Sequence, residues 1–151
     1  LYAAQCVACH QASGKGLAGV FPPLDASEWV IGDERIVANI LLHGIVGEIT
    51  VAGVAYKGNM PAFKQLGDAE LAAMASHVRS AWSNKAAPIK PELIAQERKA
   101  SSTRTTPFSG GEAMTCTIWF DGGGGECTQA PKYGTSKNFF SSPLSSSSGT
   151  T

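Results

Sequence analysis

The sequence has little charge and no long apolar run. Charged residues make up 16% of the 151, and twelve acidic residues balance twelve basic ones. No stretch gathers enough Lys and Arg to leave the electrostatic footprint of a nucleic-acid or anionic-membrane binder, so no nucleic-acid partner is expected. No apolar segment approaches the ~20 residues that a spanning helix needs, so no membrane span is expected. Neither a secretory signal nor an initiating methionine precedes Leu1, and the chain reads as a mature product or a fragment of something longer. Cysteine is scarce: the four residues fall into two distant pairs, Cys6/Cys9 and Cys116/Cys127, which permits disulfides without requiring them. No internal repeat is found.

What is present divides the chain by composition into three regions. Residues 1–84 hold nearly all the strong patterning and suffice for one small domain. Residues 85–108 read as a linker with one short helix, opened by Pro91 and continued by Leu93, Ile94 and Glu97. Residues 109–151 are rich in Gly, Ser and Thr and read as a tail without a core of its own. Its one local feature, CTIWFDGGGGEC, would let Cys116 and Cys127 bridge a loop in an oxidising compartment.

In the first region, a short helix is expected over residues 1–10 and a Gly/Pro-punctuated loop over 13–24. Ile36, Ile40 and His43 recur at helical spacing, with Gly44 as the stop. Residues 48–56 (EITVAGVAY) alternate around Ala52-Gly53 and predict a small hairpin. The segment GDAELAAMASHVRSAW predicts a helix capped by Asp68, with Leu71, Ala75, Val78 and Trp82 as its apolar stripe.

The chemistry lies in CVACH, residues 6–10. A structural zinc site needs four ligands, usually from two such knuckles, and the other cysteines are too far away and wrongly spaced. A redox dithiol would follow a strand in a βαβ unit, and nothing before Cys6 supplies one. Covalent haem attachment accounts for all three residues at once. Two intervening residues on a helical turn present Cys6 and Cys9 together, and the next residue, His10, faces the iron. A soft thioether in the remaining axial position would come from Met60, in GNMPAF, because the following proline holds its backbone extended. Met74 reads as core packing. His43, at a helix end, and His77, at the edge of a stripe, are the rival ligands.

YAAQCVACHQASGKG, GVFPPLDASEWV, LLHG, GNMPAF and the helix ending VRSAW, taken in order, resemble the class I cytochromes c of bacteria. In finer detail they are similar to haem c domains tethered to copper nitrite reductases or terminal oxidases, and to cytochrome subunits of membrane dehydrogenases. The resemblance implies an all-α fold of three to four helices around one covalently bound haem c, with a short hairpin before the distal methionine. It implies thioether bonds at Cys6 and Cys9, His10 and Met60 on the iron, and a carbonyl of Pro22 or Pro23 accepting the other imidazole N–H. It further implies Trp29 and Arg35 near a propionate, and Tyr56 and Phe63 as walls.

Such a haem exchanges electrons with a redox partner or a fused redox domain. The alternative is a haem whose methionine is displaced in catalysis or gas sensing. Maturation of the family outside the cytoplasm implies a periplasmic location. The N-terminal helix is shorter than the resemblance leads one to expect, leaving few residues before Cys6 to cross the last helix near Trp82.

Overall fold

The structure, a computed structural model, describes residues 1–115. The Cys116–Cys127 pair and the rest of the tail lie outside the described residues. The chain runs α1 (Tyr2–Gln5), α2 (Val7–His10), α3 (Glu28–Ile31), α4 (Glu34–His43), β1 (Ile45–Val51), β2 (Val54–Met60), α5 (Asp68–Ser80), α6 (Pro91–Ala100), β3 (Phe108–Ser109) and α7 (Gly110–Thr115). Helices dominate, as expected, but a three-stranded sheet ordered β2-β1-β3 corrects the all-α expectation.

Local chemistry sets the boundaries. The Asp33 carboxylate accepts the Arg35 backbone N–H at 2.9 Å and caps α4. Gly44 ends that helix at φ +75, and a Cβ there would lie 2.5 Å from the Met60 carbonyl oxygen. Only glycine lets the end of α4 pass so close to the methionine segment. At α5 the expected cap is corrected. Gly67 is the N-cap, with the Glu70 carboxylate accepting its N–H at 2.9 Å, while Asp68 lies in the first turn and pairs with Arg98 of α6 at 2.8 Å. Helix α5 ends at Ser80, so Trp82 lies beyond it rather than on its stripe.

The hairpin extends further than its sequence pattern. Ala52 and Gly53 form the turn, both at positive φ, a geometry that suits the twist of paired strands. Pairing runs from Val51↔Val54 back to Ile45↔Met60. The glycines at 47 and 58 interrupt the side-chain alternation, which hides the strand continuation from a period-two reading. Met60 is therefore the last residue of a strand.

Two buried clusters form the core. One joins Cys6 to α4, α5 and Ile94 of α6; the other joins Trp29, the hairpin and Phe108. Met60 packs against both. The segment after residue 84 packs on this body: Ile89 and Ile94 are buried, and Arg98 donates to the carbonyls of Lys64 and Leu66 at 2.7 and 2.8 Å. Burying a side chain the size of Ile94 stabilises by roughly 1.5–3 kcal/mol. Helix α1 meets the end of α5 through rings, with Tyr2 edge-on to Trp82 at 5.5 Å and tilted on His77 at 5.0 Å.

A candidate haem site

The Cys6–His10 turn closes through the His10 N–H donating to the Cys6 carbonyl at 2.8 Å. Positions i, i+3 and i+4 then share one face, and all three side chains line a single cavity. Cys6 is buried, with Sγ 3.8 Å from the Met74 sulfur, and burial pushes its thiol above the ordinary range. His10 is buried as well, and its Nδ1 lies 2.9 Å from the Pro22 carbonyl oxygen. A carbonyl can only accept, so Nδ1 carries the proton and Nε2 keeps its lone pair. Burial lowers the basicity of His10, and the Pro22 bond only partly opposes this. A neutral imidazole with a fixed tautomer is the form a metal ion requires.

Gly16 holds this arrangement close. At φ +62, a Cβ on it would lie 2.2 Å from the Phe21 oxygen and 2.6 Å from that of Pro22. The loop can fold beneath the carbonyl that orients His10 only because that side chain is missing.

Met60 reaches the same cavity from the end of β2. The Phe63 N–H donates to the Leu41 carbonyl at 2.8 Å and ties the following segment to α4. Pro22, Pro23, Trp29, Tyr56 and Phe63 also line the cavity, so nine of the ten sequence-derived site residues converge there. Arg35 does not. It lies outside the lining and forms a bidentate pair with Asp33, with Nη2 to Oδ2 at 2.6 Å. Trp29 faces the cavity, but its indole N–H donates to the Thr50 carbonyl at 2.8 Å, so that hydrogen bond serves the hairpin. His43 and His77 are absent from the lining. Nε2 of His43 is 2.6 Å from Ser101 Oγ, and His77 is exposed against Tyr2.

Sequence reading missed several walls. Met74 and Val78 of α5, and Ile40 and Leu41 of α4, face the cavity as well as the core. Helical periodicity marks an apolar stripe without saying whether protein or cofactor covers it. Gly47 and Gly58 were also missed. They are direct cross-strand partners on the lining, and a Cβ on either would meet no heavy atom within 4 Å.

The donor set suits haem. Two thiols one helical turn apart, a neutral imidazole and a thioether surround a cavity walled mainly by apolar side chains, with open space beside the glycine pair. Zinc does not suit it, because the described residues contain no group of three or more His, Cys, Asp or Glu placed to hold a metal ion. No helix among the described residues is long and apolar enough to cross a membrane.

Comparison with known proteins places the chain in a family. Residues 1–82 match the family model for cytochrome c. Cytochrome c-552 of Thermus thermophilus is 37% identical over 110 residues, covering 69% of this chain and 84% of that protein. A match of that extent necessarily continues past residue 82 into the segment that contains α6. The cytochrome c subunit of a quinone alcohol dehydrogenase from Gluconacetobacter polyoxogenes is 31% identical over 89 residues, 56% of this chain but 18% of that protein. Site chemistry and similarity lead to one conclusion: the chain belongs to the cytochrome c family, as a class I monohaem protein that binds haem c covalently and passes electrons rather than transforming a substrate.

Proposed function

We propose that His10 and Met60 are the axial ligands of the haem iron, that Cys6 and Cys9 carry the thioether bonds, and that the protein is a carrier or tethered electron-transfer domain. The observation that supports this reading best is the convergence of these four side chains on one apolar cavity, with His10 held in its metal-binding tautomer by Pro22. The bound group supplies an iron that accepts and releases one electron at a time. The chain's task is to keep its ligands in place through that change. Pro22 and Gly16 fix the imidazole; the β1–β2 pairing and the close approach at Gly44 fix Met60. The apolar walls exclude water and, together with the thioether, favour a raised potential.

Docking would use the surface around Leu17 and Val20, two half-exposed apolar residues on the loop that follows the attachment motif, with Val20 also on the cavity lining. Such a face fits brief contact with a redox protein or with a fused domain. A periplasmic location fits covalent haem attachment, which in this family takes place outside the cytoplasm. Met60→Ala tests the ligand assignment. The variant should lose the methionine-to-iron charge-transfer band of the oxidised protein and shift to a lower potential. Rapid carbon monoxide binding by the reduced wild-type protein at neutral pH would instead favour a displaceable methionine.

A further inference from the structure

A second cleft lies behind Met60, and its character is opposite to that of the haem cavity. Met60 and Asn59 line both spaces. The far wall of the cleft carries His43, Lys64, Arg104, Thr105 and Thr106. We propose that this cleft binds a small tetrahedral oxyanion of the phosphate or sulfate class, and that its occupancy lowers the potential of the haem. The coupling rests on the reading of Met60 as an iron ligand; the binding site does not.

Charge and hydrogen-bond inventory carry the proposal. The Lys64 side chain is exposed and has no ion pair among the described residues. The hydroxyls of Thr105 and Thr106 make no hydrogen bond within the described structure, leaving two donors without protein acceptors. Arg104 sits over the Phe108 ring, with Cζ 3.9 Å from its centroid, and its Nη2 is 3.5 Å from a Glu112 carboxylate oxygen. The other nearby guanidinium, Arg98, is already paired with Asp68 at 2.8 Å.

His43 senses the resulting field. Burial pushes its basicity down, and the charges of Arg104, Lys64 and Arg98 push it further in the same direction. The Ser101 hydroxyl gives its one proton to the Glu97 carbonyl at 2.6 Å, so the contact from His43 Nε2 is a donation and Nδ1 remains the acceptor of a neutral ring. The cations of Lys64 and Arg104 and the two threonine hydroxyls on the lining suit a small anion and disfavour a metal ion.

Linkage gives the consequence. Oxidised iron carries one more positive charge than reduced iron, so an anion one side chain away binds the oxidised protein more tightly. Bound anion must then lower the potential by the same free energy. Each tenfold preference corresponds to about 59 mV for a one-electron couple.

The test uses the haem-loaded protein, titrated with inorganic phosphate at constant ionic strength against chloride, and read by amide chemical shifts and midpoint potential. Saturable shifts at Lys64, Thr105 and Thr106, weakened at least severalfold in Lys64→Gln and Arg104→Gln, are expected. A saturable fall in potential should accompany them. Lys64→Gln leaves the core untouched and so keeps the test clear of folding defects. Shifts that match chloride, or that track only phosphatidylglycerol vesicles at equal phosphate concentration, overturn the small-anion site. Saturable shifts with an unchanged potential overturn the coupling. If the charge-transfer band of Met60 is also absent, the ligand assignment fails instead.

Discussion

Single atoms decide how well this site is built. The Pro22 carbonyl sets the tautomer of His10, and the missing Cβ of Gly16 makes room for that carbonyl. Gly16→Ala should therefore perturb the proximal side by displacing Pro22. Its expected signature is a shifted His10 ring signal and a changed potential with the Met60 band retained. A second residue-scale prediction concerns the α4–α6 contact. Glu97 is 2% exposed and accepts from Asn39 Nδ2 at 2.7 Å, while Asn39 Oδ1 is buried without a partner. Burial raises the Glu97 pKa, partly opposed by the Asn39 bond and by Arg35, while Asp33 adds to the rise. A carboxyl with its folded pKa above the unfolded value contributes stability below the unfolded pKa, and that stability is lost as pH rises through the folded one. Stability should accordingly decline with rising pH above the ordinary glutamate range. Glu97→Gln should remove that dependence and, by donating to Asn39 Oδ1, stabilise by about 1–3 kcal/mol in denaturant titrations.

Among the elements, the CVACH turn was the most legible in sequence, because its chemistry is local: the motif states both the spacing and the residue types. Helices α4 and α5 were legible through their apolar stripes, although Asp68 was mistaken for a cap that Gly67 and Glu70 provide. The hairpin was legible only around its turn, since Gly47 and Gly58 erase the alternation that marks a strand. Arg35 stands apart from the other expected site residues because its short-range partner, Asp33, holds it. Helix α6 was legible from Pro91 and the apolar spacing after it, but its packing was not. Two apolar residues in a charged, proline-flanked stretch look like a linker, and the burial of Ile94 depends on α4 and α5 meeting it. Ile94→Ala should cost roughly 2–5 kcal/mol of stability, read as a lowered denaturation midpoint with an unchanged spectrum. A loss well below 1 kcal/mol would mean that α6 contributes little to the fold.

At the scale of the molecule, a neutral charge balance and the proposed apolar docking face predict how electrons leave. With twelve charges of each sign and Leu17 and Val20 at the face, electron self-exchange between two copies should vary little with added salt. A steep salt dependence measured by NMR line broadening would place charged groups, not apolar ones, at the docking face. The central claim, that His10 and Met60 together hold the haem iron, has a direct test in the methyl signals of the three methionines. In reduced protein labelled at the methionine methyls, one resonance should lie far upfield, in the ring current over the macrocycle, and should vanish in Met60→Ala. A Met60 methyl at its ordinary position, with the upfield signal absent or surviving in that variant, would contradict it.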